Sequence, residues 1–154
     1  MKVLAPCRVV RSYVQKIQAR PEEVFALLCP VRETEWVNGW EPLVVYSRSG
    51  LAEPECVFLT GEGEPDAVWV ITRRDWSQFA LEIIKVTPWT TVAKINISLS
   101  ENQQGGTEAE DTYSYTALSE AGKEFVENYT DSYFAEFMEF WEASLNEYLL
   151  AKAQ

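Results

Sequence analysis

Six strand-like runs follow one another through the middle of the chain with only short turn signals between them. This succession limits the fold more than any other feature. The runs lie at 42–47, 56–60, 67–72, 79–86, 91–99 and 108–118. Their separators are Ser49-Gly50, Gly61-Glu62-Gly63-Glu64-Pro65-Asp66, Asp75-Trp76-Ser77-Gln78, Thr87-Pro88 and Gln104-Gly105-Gly106. Connections this short join neighbouring strands as hairpins, so the sheet is expected to be antiparallel. No strand–helix alternation is present, which argues against a doubly wound parallel sheet.

The flanks complete the pattern. Residues 8–19 carry Val9, Val10, Tyr13, Val14 and Ile17 among polar residues and read as a further strand with imperfect alternation. Pro21 suits the first helical position, and Glu22 and Glu23 complement the positive end of the helix dipole. Val24, Leu27 and Leu28 give that helix one apolar face, and Pro30 stops it. A second short helix is expected from Val31 to about Val37, closed by Asn38-Gly39. After the last strand Ser119 is an N-cap, and no breaker follows Gly122. Phe125, Tyr129, Tyr133, Phe137, Trp141, Leu145 and Tyr148 then recur at helical spacing, which predicts one helix of roughly 30 residues with a wide aromatic stripe. The expected class is α+β, as one domain over 1–154. A curved antiparallel sheet of six to seven strands wraps around a long C-terminal helix, with two short helices after the first strand.

Composition narrows the chemistry. There is no histidine, which removes Ser-His-Asp and Cys-His nucleophile systems and His-ligated zinc together. The net charge of −11 repels phosphate backbones, so nucleic acid is not an expected partner. More than half of that excess rides on the segment after Leu118, with eight acids against two lysines. Cys7, Cys29 and Cys56 are odd in number and form no C-x-x-C pair, which argues against a disulfide framework or a thiolate metal site. Cys29 reads as a buried small residue rather than a nucleophile. No apolar run approaches the ~18 residues of a membrane span, and the apolar stretch before Cys7 is too short for a signal peptide, so a cytoplasmic location is expected. No P-loop, dinucleotide fingerprint or calcium loop is present, and neither a metal nor a cofactor is expected.

Three motifs carry a resemblance to a known superfamily. Ala19-x-Pro21-Glu22-Glu23-Val24-Phe25 resembles the helix entry of the START/SRPBCC (helix-grip) superfamily, which includes birch-pollen-type plant proteins and polyketide cyclases. Glu33-x-x-Trp36-x-x-Gly39-Trp40-x-Pro42 and Tyr113-Ser114-Tyr115-Thr116-Ala117-Leu118-Ser119-x-x-Gly122 resemble signatures of a bacterial subgroup. Asn38 stands where that pattern has Pro, a local change in a turn. The resemblance covers about residues 8–150 and implies a deep, mostly apolar cavity between the curved sheet and the last helix. It does not select among carriers, receptors and enzymes.

Site candidates follow from that cavity. Trp36 and Trp40 lie four apart around a helix end and can present rings to its mouth. Glu33, three residues before Trp36, would be desolvated beside indoles and have a raised pKa, which suits a general acid or a hydrogen bond to a ligand hydroxyl, or it is a surface carboxylate, solvated or paired with an Arg such as Arg32. In the last strand Asp111, Tyr113 and Tyr115 share one face, expected to be concave. Trp69 shares a face with Ala67 and Ile71, continued by Arg73, which could hold a ligand carboxylate or sit at the surface. Phe58 shares a face with Thr60 and Glu62. On the long helix Tyr133, Phe137 and Trp141 should face the cavity, with Glu136 at the edge of the stripe. The favoured function is binding of a hydrophobic small molecule such as a lipid, a polyketide-like aromatic or an isoprenoid. Two alternatives stand beside it. One is an aromatase/cyclase- or hydrolase-type enzyme using Glu33 or Asp111 as acid or base. The other is a protein-interaction module acting through the acidic last helix. A homodimer is left open.

Overall fold

The computed structural model describes residues 1–61 and 66–154. The Gly61–Asp66 turn expected from the sequence, with Glu62, therefore lies mostly outside the described residues. Seven strands form one antiparallel sheet: β1 (Arg8–Ile17), β2 (Leu43–Tyr46), β3 (Val57–Thr60), β4 (Ala67–Asp75), β5 (Ala80–Thr87), β6 (Thr91–Glu101) and β7 (Thr107–Ala117). Their spatial order is β1-β7-β6-β5-β4-β3-β2, so every neighbour but β1–β7 is joined by a sequential connection. The β1–β7 pair brings the two ends of the chain together, in register from Arg8 opposite Thr116 to Ile17 opposite Thr107.

Helix α1 (Pro21–Leu27) opens on Pro21 as expected and buries Val24, Phe25 and Leu27. The short helix expected next is a single 3-10 turn, Arg32–Glu35. Beta-4 runs three residues past its expected end, and its pairing with β5 slips between Ile71 and Arg73. A bulge of this kind exchanges the faces beyond it. Arg73 therefore turns outward to Asp75 and Gln78 (3.0 Å each), and Arg74 takes the inner position expected for Arg73.

The single long helix expected after Ser119 is two helices, α2 (Glu120–Asn128) and α3 (Asp131–Lys152). Ser119 caps α2 as anticipated, through Gly122 N (3.2 Å). The break is built by three interactions. Thr130 Oγ1 accepts from Tyr133 N (3.2 Å) and so caps α3. Arg11 Nε donates to the carbonyl of Tyr129 (3.0 Å), and the Arg11 guanidinium pairs with Asp131 (3.1 Å). Tyr129 sits between the helices with its ring buried. Restarting the helix at Asp131 advances the inward face by one residue. Phe134, Met138, Leu145 and Leu149 are the buried positions of α3, so of the expected stripe Leu145 stays buried while Tyr133 is turned out to solvent.

Helix α3 lies along β1 and fills part of that edge strand's hydrogen-bonding capacity. Lys16 N donates to Glu142 Oε2 (2.6 Å), Gln18 N donates to Asn146 Oδ1 (2.9 Å), and Asn146 Nδ2 donates to the carbonyl of Lys16 (2.9 Å). Gln15, buried on β1, donates to the carbonyl of Met138 (3.0 Å). These contacts fix the rotation and height of α3 over the sheet. No helix among the described residues is long and apolar enough to cross a membrane.

Candidate functional site

Strand register places the inward side chains in rows across the sheet. One row runs Phe58, Trp69, Lys85, Ala93, Tyr115. The next holds Ile71, Ile83, Ile95 and Tyr113, and a third holds Arg74, Leu81, Ile97 and Asp111. The curved sheet carries these rows under α3, and the 3-10 turn closes one side. Between them lies a cavity of about 350 Å³, lined by residues of all three rows other than Ala93 and Arg74, by Glu33, Trp36 and Trp40, and by Phe137, Met138 and Trp141. This volume falls at the lower end of the range for small-molecule sites. Lining residues that are also solvent-exposed are Asn38, Gly39, Phe137 and Phe140, which puts the mouth between the 3-10 turn and α3.

The tryptophans are held by their own N–H groups. Trp36 Nε1 donates to the carbonyl of Leu27 (3.2 Å), Trp40 Nε1 to the carbonyl of Pro30 (2.9 Å) and Trp69 Nε1 to Thr60 Oγ1 (2.8 Å). They therefore offer ring faces and edges to the cavity, with their donors already used. Trp141 is packed edge-on against Trp36 (5.4 Å) and Trp40 (5.7 Å), and Phe58 stacks on Trp69 (5.3 Å).

Three polar side chains stand out against this apolar wall. Burial pushes the Glu33 carboxyl up to about 8, against the opposing pull of the Arg74 guanidinium. Burial likewise holds the Asp111 carboxyl well above the usual carboxylate range, helped by the nearby charge of Glu142. Asp111 Oδ2 is buried with no hydrogen-bond partner among the described residues. Lys85 is the third: burial lowers its pKa, and its Nζ lies 4.7 Å from the centroid of the Trp69 ring. Tyr113 stands between the carboxyls, its phenol pushed up by burial and by Asp111. A protonated carboxyl donates a hydrogen bond that a carboxylate cannot. Near neutral pH Glu33 therefore offers a donor to ligand oxygen.

Of the residues expected from the sequence, Glu33, Trp36, Trp40, Phe58, Trp69, Asp111, Tyr113, Tyr115, Phe137 and Trp141 all line this cavity. Tyr133 does not. It is 54% exposed, outside the lining, with its ring against Tyr129, because the restart of α3 turns it away. Glu136 is exposed as well. Arg73 is at the surface, and Arg74 is committed to scaffolding. Its guanidinium donates to the carbonyls of Leu28 (2.5 Å) and Phe25 (2.8 Å) and covers the Phe25 ring.

Lys85, Gln15 and Met138 line the cavity and were not expected from the sequence. A signal existed for Lys85: Leu81, Ile83 and Lys85 are two apart on one strand face, so the apolar face of β5 ends in a cation. Gln15 and Met138 carry no comparable pattern. The three cysteines are free, and Cys29 is buried, its Sγ accepting from Ala52 N (3.2 Å).

No protein-family model and no curated protein matches the sequence. Solved structures do match. A norcoclaurine synthase point mutant from Thalictrum flavum, in complex with a transition-state analogue, superposes with a TM-score of 0.73 at 9% identity, over 99% of this chain and 100% of that one. A Staphylococcus aureus protein of unknown function, SA2116, gives 0.71 at 12% identity, over 97% and 98%. Ara h 8.0201 gives 0.66 at 10% identity, over 94% and 99%. Identities this low speak to architecture alone. Sheet order, helix placement and these superpositions agree on it: the chain has the helix-grip fold.

Proposed function

We propose that the cavity binds a hydrophobic small molecule. The observation that carries this reading is a cavity of about 350 Å³ left open in a chain with ample aromatic volume to fill it. Packed interiors rarely keep voids larger than a water molecule. The wall is aromatic and aliphatic with a few fixed polar groups, the make-up of a small-molecule pocket. Apolar area removed from water would supply affinity, at about 25 cal/mol per Å² before ordering costs. Lipids, polyketide-like aromatics and isoprenoids all suit such a wall.

Native mass spectrometry tests this, before and after incubation with fatty acids, sterol-like compounds and flat aromatics. A retained adduct is expected, and Ile83→Trp, which fills the floor of the cavity, should abolish it. A clean apo mass across all three classes would overturn the reading.

A second reading is acid–base catalysis on a bound carbonyl compound. It is favoured by a cavity-lining carboxyl whose pKa is raised to about 8. Under this reading Glu33→Gln and Asp111→Asn each remove turnover of whichever ligand the first experiment identifies. Unchanged turnover in both variants would eliminate it.

A further inference from the structure

The polar groups of the cavity are segregated. Lys85 lies in the row of Phe58, Trp69, Ala93 and Tyr115, and Asp111 lies four residues further along β7 from Tyr115. Four residues of strand span about 13 Å, and two strand spacings separate β5 from β7 by about 10 Å more. Glu33 lies toward the far end as well. The Arg74 guanidinium, a member of the Asp111 row, acts on its carboxyl, and both Glu33 and Asp111 act on Tyr113. The cavity thus has a cationic end and an end of two carboxyls that burial keeps protonated well above the usual carboxylate range.

Among the described residues the cationic end is incomplete. No ion pair involves Lys85 among the described residues. Its company is the Trp69 ring, whose indole N–H is already taken by Thr60. Buried charges in proteins are ordinarily paired, and a ring face replaces only part of an ammonium's lost hydration. Lys85 lines the cavity, so a group placed there can reach it. An anion in that position would gain from the low local dielectric and would lie far from the two carboxyls.

We infer that the ligand is an amphipathic organic anion, an apolar body with a carboxylate head, and that Lys85 receives the head beside Trp69. This rests on the proposal that the cavity binds a hydrophobic molecule and adds the chemistry of one end of it. The chain's net charge of −11 opposes the approach of any anion, so a preference for one has to come from inside the cavity.

Isothermal titration calorimetry with matched pairs tests this: 2-naphthoate against 2-naphthamide, and decanoate against decanamide. The wild-type protein should bind at least one acid ten-fold or more tighter than its amide. Lys85→Met should bring acid and amide to equal affinity, and Lys85→Arg should keep the preference. Equal binding of acid and amide by wild type overturns the anion inference and leaves the hydrophobic-ligand reading standing. A preference that survives Lys85→Met overturns it too, since the head then sits elsewhere. Failure of all four compounds to bind overturns the anion inference, and the mass-spectrometric panel then decides the hydrophobic-ligand reading separately. The wild-type comparison needs no variant, so it decides the matter even if Lys85→Met does not fold.

Discussion

Two aromatic clusters share the concave side of the sheet, and only one of them is hollow. Around the α2–α3 junction Tyr115, Phe125, Tyr129 and Phe134 interlock with ring centroids about 5–6 Å apart, over Ala93, Val126 and Met138. Around the cavity Trp36, Trp40, Trp69 and Trp141 keep similar ring-to-ring distances but surround open space. Aromatic content therefore does not mark the site. What separates the clusters is the scaffold. In the solid cluster the chain breaks between α2 and α3 at Tyr129–Thr130, and the buried Tyr129 ring fills the gap. In the hollow one, three indoles are tied by their N–H groups to Leu27, Pro30 and Thr60 and are kept from collapsing inward.

The largest expected effect tests that contrast directly. Phe134→Ala empties a fully buried position in the solid cluster and should cost about 3–5 kcal/mol in chemical denaturation. Trp40→Ala removes a larger ring that already borders open space, so its loss of stability should be smaller although more volume is deleted. Equal losses would mean the tryptophans are packed as tightly as the tyrosines and would dissolve the comparison.

How much of this was legible in the sequence follows from the same contrast. The strands, their antiparallel order and the Pro21 helix start are local signals of period and turn chemistry, and all seven strands form about where the pattern puts them. Asp111, Tyr113 and Tyr115 share the concave face because alternation along an unbulged strand is rigid. The face of Ala67, Trp69 and Ile71 does not continue to Arg73, which takes its surface alternative, because a bulge changes that alternation and a bulge has no reliable sequence mark. Tyr133 failed for a non-local reason. Arg11, on β1, takes the Tyr129 carbonyl and Asp131, and nothing near residue 130 announces that contact. Helix α3 also carries large rings on both sides, with Tyr133 turned away from the cavity and Phe137 and Phe140 part-exposed at its mouth. Its periodicity could not choose a face.

The next effect sharpens the difference between a residue that holds the fold and one that burdens it. The folded-state pKa of Glu33 is raised from 4.5 to about 8. Its proton is therefore kept in the folded state and lost in the unfolded state between those values. Stability from this group is fully present below about pH 4.5 and falls as pH rises to about 8. At pH 7 the accumulated loss reaches up to about 3 kcal/mol. Glu33→Gln should remove that loss, raising the melting temperature at pH 7 and flattening the decline between pH 4.5 and 8. A carboxyl retained at such a cost is easier to understand as serving a ligand than as serving the fold. An unchanged pH profile in the variant would take that argument away.

The smallest effect asks whether the two clusters are separable at all. Thr130→Ala deletes the side-chain cap of α3 and should cost about 1 kcal/mol, read from the denaturation midpoint. Ligand affinity should not follow it. The height and rotation of α3 over the cavity are set further along, where Gln15 holds the Met138 carbonyl and Glu142 and Asn146 hold the backbone of Lys16 and Gln18. Those contacts lie on the turns of the helix that carry Met138, Trp141 and Leu145 into the cavity wall. If affinity falls together with the cap, the phase of α3 is governed from its first turn. The solid cluster would then be the part that decides which rings face the ligand.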